Sequence, residues 1–268
     1  MNLLPLYIVW DIDPVAIPIG DGGFNWYGLM WSAGFVAGYY VALYIFKQEG
    51  FNKDKITNML FYTGIGGIVG ARLADIVFYN LDYFIENPSE MGMIWKGGLA
   101  SHGGVPGVII GAWLFTKFNK EFKLVWLLDR LAIISLIGLG LVRIGNLCNS
   151  ELYGIPTHVP WAFIFYSVDD LPRHPVQIYE ALMCWGVFAY LLYTYKRVKN
   201  NMPGLYLTIF FIFIFSIRLL LEFFKEREPG LINIEGLSNT QLLSVPMIIL
   251  GIISLILMQK GYYKKWLS

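Results

Sequence analysis

The 268-residue sequence predicts an all-α polytopic membrane protein with seven transmembrane helices, an external N-terminus, a cytoplasmic C-terminus and a small extracytoplasmic cap. Three observations lead there. The composition is 56% hydrophobic and only 15% charged, far from the roughly 25% of charged residues in soluble domains. Seven stretches are long and apolar enough to cross a hydrocarbon core, which takes about 20 residues of helix. Lys and Arg concentrate in every second connection between those stretches, the bias that orients membrane proteins.

Four of the stretches, 22–46, 97–115, 202–217 and 236–259, contain no Asp, Glu, Lys or Arg. Residues 56–79 carry only Arg72 and Asp75, 124–142 only Asp129 and Arg130, and 176–195 only Glu180. The first 21 residues lack Lys and Arg, contain Asp11 and Asp13, and are broken by Pro5, Pro14 and Pro18. They read as an external or interfacial lead-in, not as a cleavable signal peptide. Connections 47–55, 117–123, 196–201 and 260–268 hold Lys47, Lys53, Lys55, Lys117, Lys120, Lys123, Lys196, Arg197, Lys199, Lys260, Lys264 and Lys265. The opposite connections hold only Lys96, Arg143, Arg173, Lys225 and Arg227. An odd number of spans is the only count compatible with that alternation. No fixed-period repeat or low-complexity segment divides the chain, so residues 1–268 read as one membrane domain. Within it, 143–175 reads as the cap, with 161–166 as a short strand pair.

A net charge of +1 offers no field for nucleic acid. Cys148 and Cys184 show no metal-ligand or redox spacing and read as apolar fillers. No metal or nucleotide motif is present, so no cofactor is expected.

An ionisable side chain at mid-bilayer costs about 2.5–3.5 kcal/mol on insertion scales, so those retained face the bundle interior and serve a purpose. Asp129 and Arg130 lie near the cytoplasmic start of their span and read as packing or interfacial residues. Arg218 and Glu222 are four apart and share a helix face, either as an internal ion pair or as part of a site. His102 sits between two glycine pairs, Gly97-Gly98 and Gly103-Gly104, where backbone can approach a ligand closely. The run Arg143, Asn146, Asn149, Glu151 and Gly154 supplies a guanidinium, two amides and a carboxylate, a cradle for phosphate and hydroxyls. His174-Pro175 opens the next span, and Gln177 and Glu180 share a face three residues apart. With spans alternating in direction, Tyr27, Arg72, His102, Arg143, Glu180, Arg218 and Glu222 all fall near the outer leaflet boundary. Convergence at one depth points to a site reachable from lipid. A transporter would distribute polar residues through the whole depth, whereas the inner halves here are nearly bare apart from Asp129 and Arg130.

At these residues the sequence resembles the bacterial prolipoprotein diacylglyceryl transferase family. The likeness is carried by Trp26-Tyr27-Gly28, Gly70-Ala71-Arg72-Leu73, Gly97-Gly98 through His102-Gly103-Gly104, Arg143-Ile144-Gly145-Asn146 through Asn149-Ser150-Glu151 and Gly154, His174-Pro175-Val176-Gln177-Ile178-Tyr179-Glu180, Arg218 through Glu222-Phe223, and Gln241 through Met247. The Arg-x-Gly-Asn-x-x-Asn-x-Glu string is its specific part. The resemblance implies an inner-membrane transferase with seven spans, moving a diacylglyceryl group from phosphatidylglycerol to the lipobox cysteine of a preprolipoprotein. It implies catalytic roles for His102, Arg143, Arg218 and Glu222. Substrate contacts are then expected at Tyr27, Arg72, Gly98, Gly104, Asn146, Asn149, Glu151, Gly154, Gln177 and Glu180. Two departures stand out: Lys225 where the family commonly has Arg, and Ser101 where it commonly has an apolar or aromatic residue. Lysine binds phosphate without the bidentate fork.

The chemistry suits those residue types. A thiol near pKa 8.5 reacts as its thiolate and must lose its proton; an imidazole ordinarily titrates near 6.5 and can take it, with Glu222 or Glu151 as the alternative. Attack on the glycerol carbon bonded to phosphate releases a phosphate monoester, whose growing charge two arginines would stabilise. Asn146 and Glu151 would orient the head-group hydroxyls.

Overall fold

A computed structural model describes residues 7–20, 22–94, 97–197, 202–226 and 238–260, apart from the side chains of Ser101 and Asn239. Lys96, Lys199, Arg227, Lys264 and Lys265, which enter the orientation count, lie outside the described residues. The chain is mostly helical: α1 (Trp26–Gln48), α2 (Lys53–Phe78), α3 (Leu81–Glu86), α4 (Ser101–Phe118), α5 (Leu124–Cys148), α6 (Val176–Arg197), α7 (Leu205–Leu221) and α8 (Asn239–Gln259). Among the described residues five short strands accompany them: β1 (Ile8–Trp10), β2 (Val15–Ile19), β3 (Gly22–Asn25), β4 (Phe163–Phe165) and β5 (Pro172–Arg173).

Among the described residues six helices, α1, α2, α5, α6, α8 and α7 with the turn after it, are long and apolar enough to cross a membrane. The chain is a multi-pass membrane protein. The expected third span at 97–115 corresponds to α4, which begins later, at Ser101, and runs 18 residues, about 27 Å at 1.5 Å per residue. Its opening turn, Ser101-His102-Gly103-Gly104, is polar and glycine-rich, and α4 is not one of the six.

Three boundaries differ from expectation. Residues 22–25, expected as the start of the first span, form β3 and pair antiparallel with β2. Gly20, at φ 58°, makes the turn, and Gly23 lies so close to the Ile17 carbonyl that a Cβ there would collide with it. Residues 143–148, expected in the cap connection, continue α5 to Cys148. The strand pair expected at 161–166 is a single strand, β4, flanked by β1 in parallel and β5 antiparallel. Its partners come from distant segments, which alternation within six residues does not reveal.

The chain forms two compact units, residues 41–130 and the remainder. In the 41–130 unit α2 and α4 cross through glycines. A Cβ on Gly107 would collide with the Gly66 carbonyl oxygen, and one on Gly70 with that of Gly103, the small-residue contact that lets membrane helices approach closely. Gly107→Leu is therefore expected to lower the thermal midpoint in detergent, overpacking costing about 1–3 kcal/mol; an unchanged midpoint would show that the crossing tolerates bulk. Elsewhere in this unit Arg130 Nε and Nη2 donate to Glu49 Oε1 at 3.0 and 2.8 Å, and Trp126 Nε1 donates to Glu49 Oε2 at 3.0 Å. The Arg130 guanidinium also lies 4.5 Å from the Trp126 ring centroid, which gives Arg130 the packing role its position suggests.

In the other unit α1 meets α5 where a Cβ on Gly34 would sit 3.1 Å from Gly138 Cα. A small core of Leu147, Phe163 and Phe165, with Trp10, Tyr153 and Ile178 packed against it, lies beneath the β1–β4–β5 sheet. Trp10 Nε1 donates to the Leu147 carbonyl at 2.9 Å, tying the sheet to the end of α5. α8 starts in a capping box, Gln241 N donating to Ser238 Oγ at 3.2 Å and Ser238 N to Gln241 Oε1 at 3.0 Å.

Candidate active site

The last turns of α5 carry the central polar relay. Arg143 Nε lies 2.7 Å from Glu180 Oε2 on α6, an ion contact and the only close partner of that oxygen among the described residues. Arg143 Nη1 donates to Asn146 Oδ1 at 3.0 Å, and Asn146 Nδ2 to Glu151 Oε1 at 2.7 Å. Asn149 Nδ2 donates to the same carboxylate oxygen at 3.3 Å, and Gln177 Nε2 to the Glu151 carbonyl at 2.7 Å. Asn146, Gln177 and Glu180 are buried whereas Glu151 is exposed, so the relay runs from the interior to an open edge.

The turn that delivers Glu151 is strained. Ser150 and Leu152, on either side, have φ of 53° and 57°, a left-handed conformation that costs an L-residue about 1–2 kcal/mol. It persists because Asn149, Ser150 and Glu151 donate their N–H groups to the carbonyls of Gly145, Leu147 and Asn146 at 3.1, 3.0 and 3.1 Å. Such strain held by its surroundings is a feature of functional sites. Tyr27, on the first turn of α1, packs here too: a Cβ on Gly145 would lie 3.0 Å from Tyr27 Cδ2.

Arg218, near the end of α7, shares this region, with Arg143, Glu180, Glu222 and Cys184 in electrostatic reach. Among the described residues its buried Nε has no hydrogen-bond partner, nor do the buried Gln177 Oε1 and Asn149 Oδ1. Among the described residues Arg218 and Glu222 form no ion pair. Arg before Glu is the weaker order for an i,i+4 contact, and Glu222 opens a 3-10 turn, Glu222–Phe224, instead of continuing the helix. The cluster thus holds two guanidiniums, one engaged by Glu180 and one with a buried donor that no group among the described residues satisfies, an exception to the rule that buried polar groups are hydrogen-bonded.

Gly154 and Lys225 lie at a backbone crossing. The two residues form an isolated antiparallel bridge, Gly154 N donates to the His174 carbonyl at 2.9 Å, and a Cβ on Gly154 would sit 2.6 Å from the His174 and Phe224 carbonyl oxygens. Glycine is required there by space.

Arg72, Gly98, His102 and Gly104 belong to the 41–130 unit. Arg72 is spent on backbone: Nε donates to Met91 O at 2.9 Å, Nη1 to Gly97 O and Gly98 O at 2.7 and 3.0 Å, and Nη2 to Glu90 O at 2.8 Å. Asp75 lies 3.5 Å away, and the guanidinium stands 4.7 Å from the Phe84 ring centroid. Gly98, at φ 76°, closes against Arg72 Nη1 and Asp75 with no room for a side chain. Gly104 faces α2 at ordinary contact distance, 3.6 Å from Gly67 O. His102 is exposed in the first turn of α4, its ring 5.5 and 5.6 Å from those of Phe78 and Tyr79. It lines an open cleft of about 350 Å³ with Asp75, Tyr79, Leu99 and Ala100.

Sequence reading missed Glu180 as the partner of Arg143, although an isolated carboxylate in a span demands a cation nearby. It also missed Arg173, counted only for orientation, whose contacts with Asp169 and Glu226 lie 4 and 53 residues away. In the cap, burial pushes the His174 imidazole below its ordinary value, and hydrogen bonds from Arg173 hold the Asp169 carboxyl below the usual carboxylate range. In both cases the unfolded chain binds the proton more readily, so stability is lost as pH falls. The His174 contribution begins to decline below about pH 6.5 and the Asp169 contribution below about pH 3.9. Limited proteolysis of 150–175 in detergent is expected to accelerate in those two steps. His174→Gln should remove the first step, and an unchanged profile in that variant would assign it elsewhere.

A family model described as prolipoprotein diacylglyceryl transferase matches residues 14–257. Similar proteins include the phosphatidylglycerol--prolipoprotein diacylglyceryl transferase of Chloroherpeton thalassium, 41% identical over 248 residues that cover 92% of each chain. The enzyme of the same name from Tolumonas auensis is 38% identical over 253 residues, 94% of this chain and 98% of the relative. That of Porphyromonas gingivalis is 37% identical over 265 residues, 93% and 94% of the two chains.

Proposed function

The chain belongs to the prolipoprotein diacylglyceryl transferase family, and from that premise we propose that it transfers the diacylglyceryl group of phosphatidylglycerol to the lipobox cysteine of a preprolipoprotein. A thioether forms and glycerol phosphate leaves, the first step of lipoprotein maturation. The observation that carries this reading is Arg218 Nε, buried without a hydrogen-bond partner among the described residues and in the neighbourhood of Arg143.

Chemistry follows from the residues. The cysteine sulfur attacks the glycerol carbon bonded to phosphate, the C–O bond breaks, and its electron pair stays on the departing phosphate ester. Arg143 and Arg218 bind that phosphate and stabilise the charge it gains; in a site sheltered from water such preorganised donors act most strongly. Glu180 holds Arg143 in place through the 2.7 Å contact. Glu151, presented by the strained turn and oriented by Asn146 and Asn149, accepts from head-group hydroxyls, and Tyr27 flanks the same place. Glu222 acts beside Arg218. His102 is assigned the thiol proton on chemical grounds: it is exposed, and among the described residues its ring nitrogens hold no hydrogen bond. Arg72, Gly98, Gly104 and Gly154 serve by holding the backbone, given the contacts that occupy them.

Residues 1–268 act as one membrane domain of the bacterial cytoplasmic membrane. The alternating Lys and Arg content supports seven crossings, with α4 as the third, an external N-terminus and a site in the extracytoplasmic leaflet. Purified protein mixed with phosphatidylglycerol labelled in its acyl chains and a lipobox peptide is expected to yield a thioether-linked diacylglyceryl peptide. No product from protein shown to be folded would overturn the reading.

A further inference from the structure

We propose that Arg173 is a positioning residue for this reaction, setting the spacing between the segment that carries Glu151 and the segment that carries Glu222. The inference rests on the transferase reading above.

Arg173 stands in β5 with its side chain 9% exposed. Its Nε donates to both Asp169 carboxylate oxygens at 3.1 Å, and Nη2 donates to Oδ2 at 2.5 Å. Nη1 donates to the Gly154 carbonyl at 3.1 Å and to Glu226 Oε2 at 2.8 Å. The guanidinium also covers the Tyr153 ring at 4.9 Å from its centroid. All three nitrogens are occupied, so Arg173 has little to offer a substrate. What it does is join three segments of chain.

Backbone hydrogen bonds follow the same plan. On one side of the strip 153–157, Gly154 N donates to His174 O at 2.9 Å, His174 N to Ile155 O at 3.2 Å and Thr157 N to Pro172 O at 2.8 Å. On the other, Ile155 N donates to Phe224 O at 3.0 Å and Glu226 N to Tyr153 O at 3.1 Å. The strip is therefore held between 172–174 and 224–226, with Arg173 reaching across it to Glu226. Glu151 precedes Tyr153 by two residues, within about 7 Å of chain, and Glu222 precedes Glu226 by four. Loosening the Arg173 clasp frees both carboxylates to drift while Arg143 and Arg218, on α5 and α7, keep their places. A displacement of about 1 Å at a reacting centre can cost on the order of 100-fold in rate.

The test uses full-length protein in detergent, with phosphatidylglycerol varied at saturating lipobox peptide. Arg173→Gln is expected to lower kcat about tenfold or more while KM for phosphatidylglycerol moves little. A brace of the cap alone would reduce the amount of folded protein and leave kcat per folded molecule intact. Arg173→Lys should recover part of the loss, since an ammonium holds one carboxylate but lacks the fork for two. Glu226→Gln, altering a half-exposed carboxylate, should move kcat in the same direction by less, and the double variant should match Arg173→Gln alone. Wild-type kcat in folded Arg173→Gln overturns the proposal. So does wild-type kcat in Glu226→Gln, even if Arg173→Gln fails to accumulate. Absence of thioether product from the wild type would instead remove the transferase reading, and this inference with it.

Discussion

Arg218→Ala is expected to lower thioether formation at least about 100-fold at matched protein level, with membrane insertion intact. The expectation follows from a buried donor: Arg218 Nε has no hydrogen-bond partner among the described residues, and removing one preorganised donor from a developing oxyanion typically costs about 100- to 1,000-fold. Arg218→Lys should remain well below wild type, because an ammonium carries the charge without the two-pronged geometry. Arg143→Ala should be as severe for a second reason. It strands Glu180, whose 2.7 Å partner is Arg143, and an uncompensated buried charge costs about 3–5 kcal/mol. The two arginines therefore differ in a way that can be measured. Arg218→Ala should cost activity with little loss of thermal stability, whereas Arg143→Ala should cost both, and Arg143→Ala combined with Glu180→Gln should regain stability without regaining activity. Activity within about threefold of wild type in Arg218→Ala would remove that residue from the mechanism.

His102→Gln is expected to lose about 100-fold or more at pH 7, the usual scale of general-base catalysis. Part of the rate should return as pH rises toward the thiol value near 8.5, where hydroxide does the work of the base. The side chain is placed for solvent access in the first turn of α4, between Phe78 and Tyr79 rings. Glutamine keeps the shape and hydrogen-bonding capacity of the side chain without a basic nitrogen. A defect of equal size at every pH would mean that His102 shapes the cleft with Asp75, Tyr79 and Leu99 and that another group takes the proton.

Helices were legible in the sequence because membrane spans advertise themselves by length and by the lack of charge. Their ends were less so. Residues 22–25 are as apolar as a helix start, yet Gly22 and Gly23 pair with β2, and nothing in 143–148 marks the continuation of α5 through Cys148. The candidate site was legible as residue types, since guanidiniums and carboxylates in spans are costly enough to be noticed. Pairing was not legible. Arg218 and Glu222 had the spacing of partners, and Arg143 took Glu180 from another helix instead. Arg72 looked like a substrate ligand by depth, but four carbonyls from two stretches of one connection occupy it. Contacts of that kind join residues 18 to 26 positions apart, beyond the range of any local pattern.

The central claim is that two guanidiniums from separate helices clasp the phosphate of the lipid donor. Native mass spectrometry of protein released from nanodiscs of mixed lipid reads this without requiring turnover. Wild-type protein should retain phosphatidylglycerol over phosphatidylcholine, and the Arg143→Ala, Arg218→Ala double variant should lose that preference while remaining folded; equal retention of phosphatidylglycerol by the folded double variant would contradict the account.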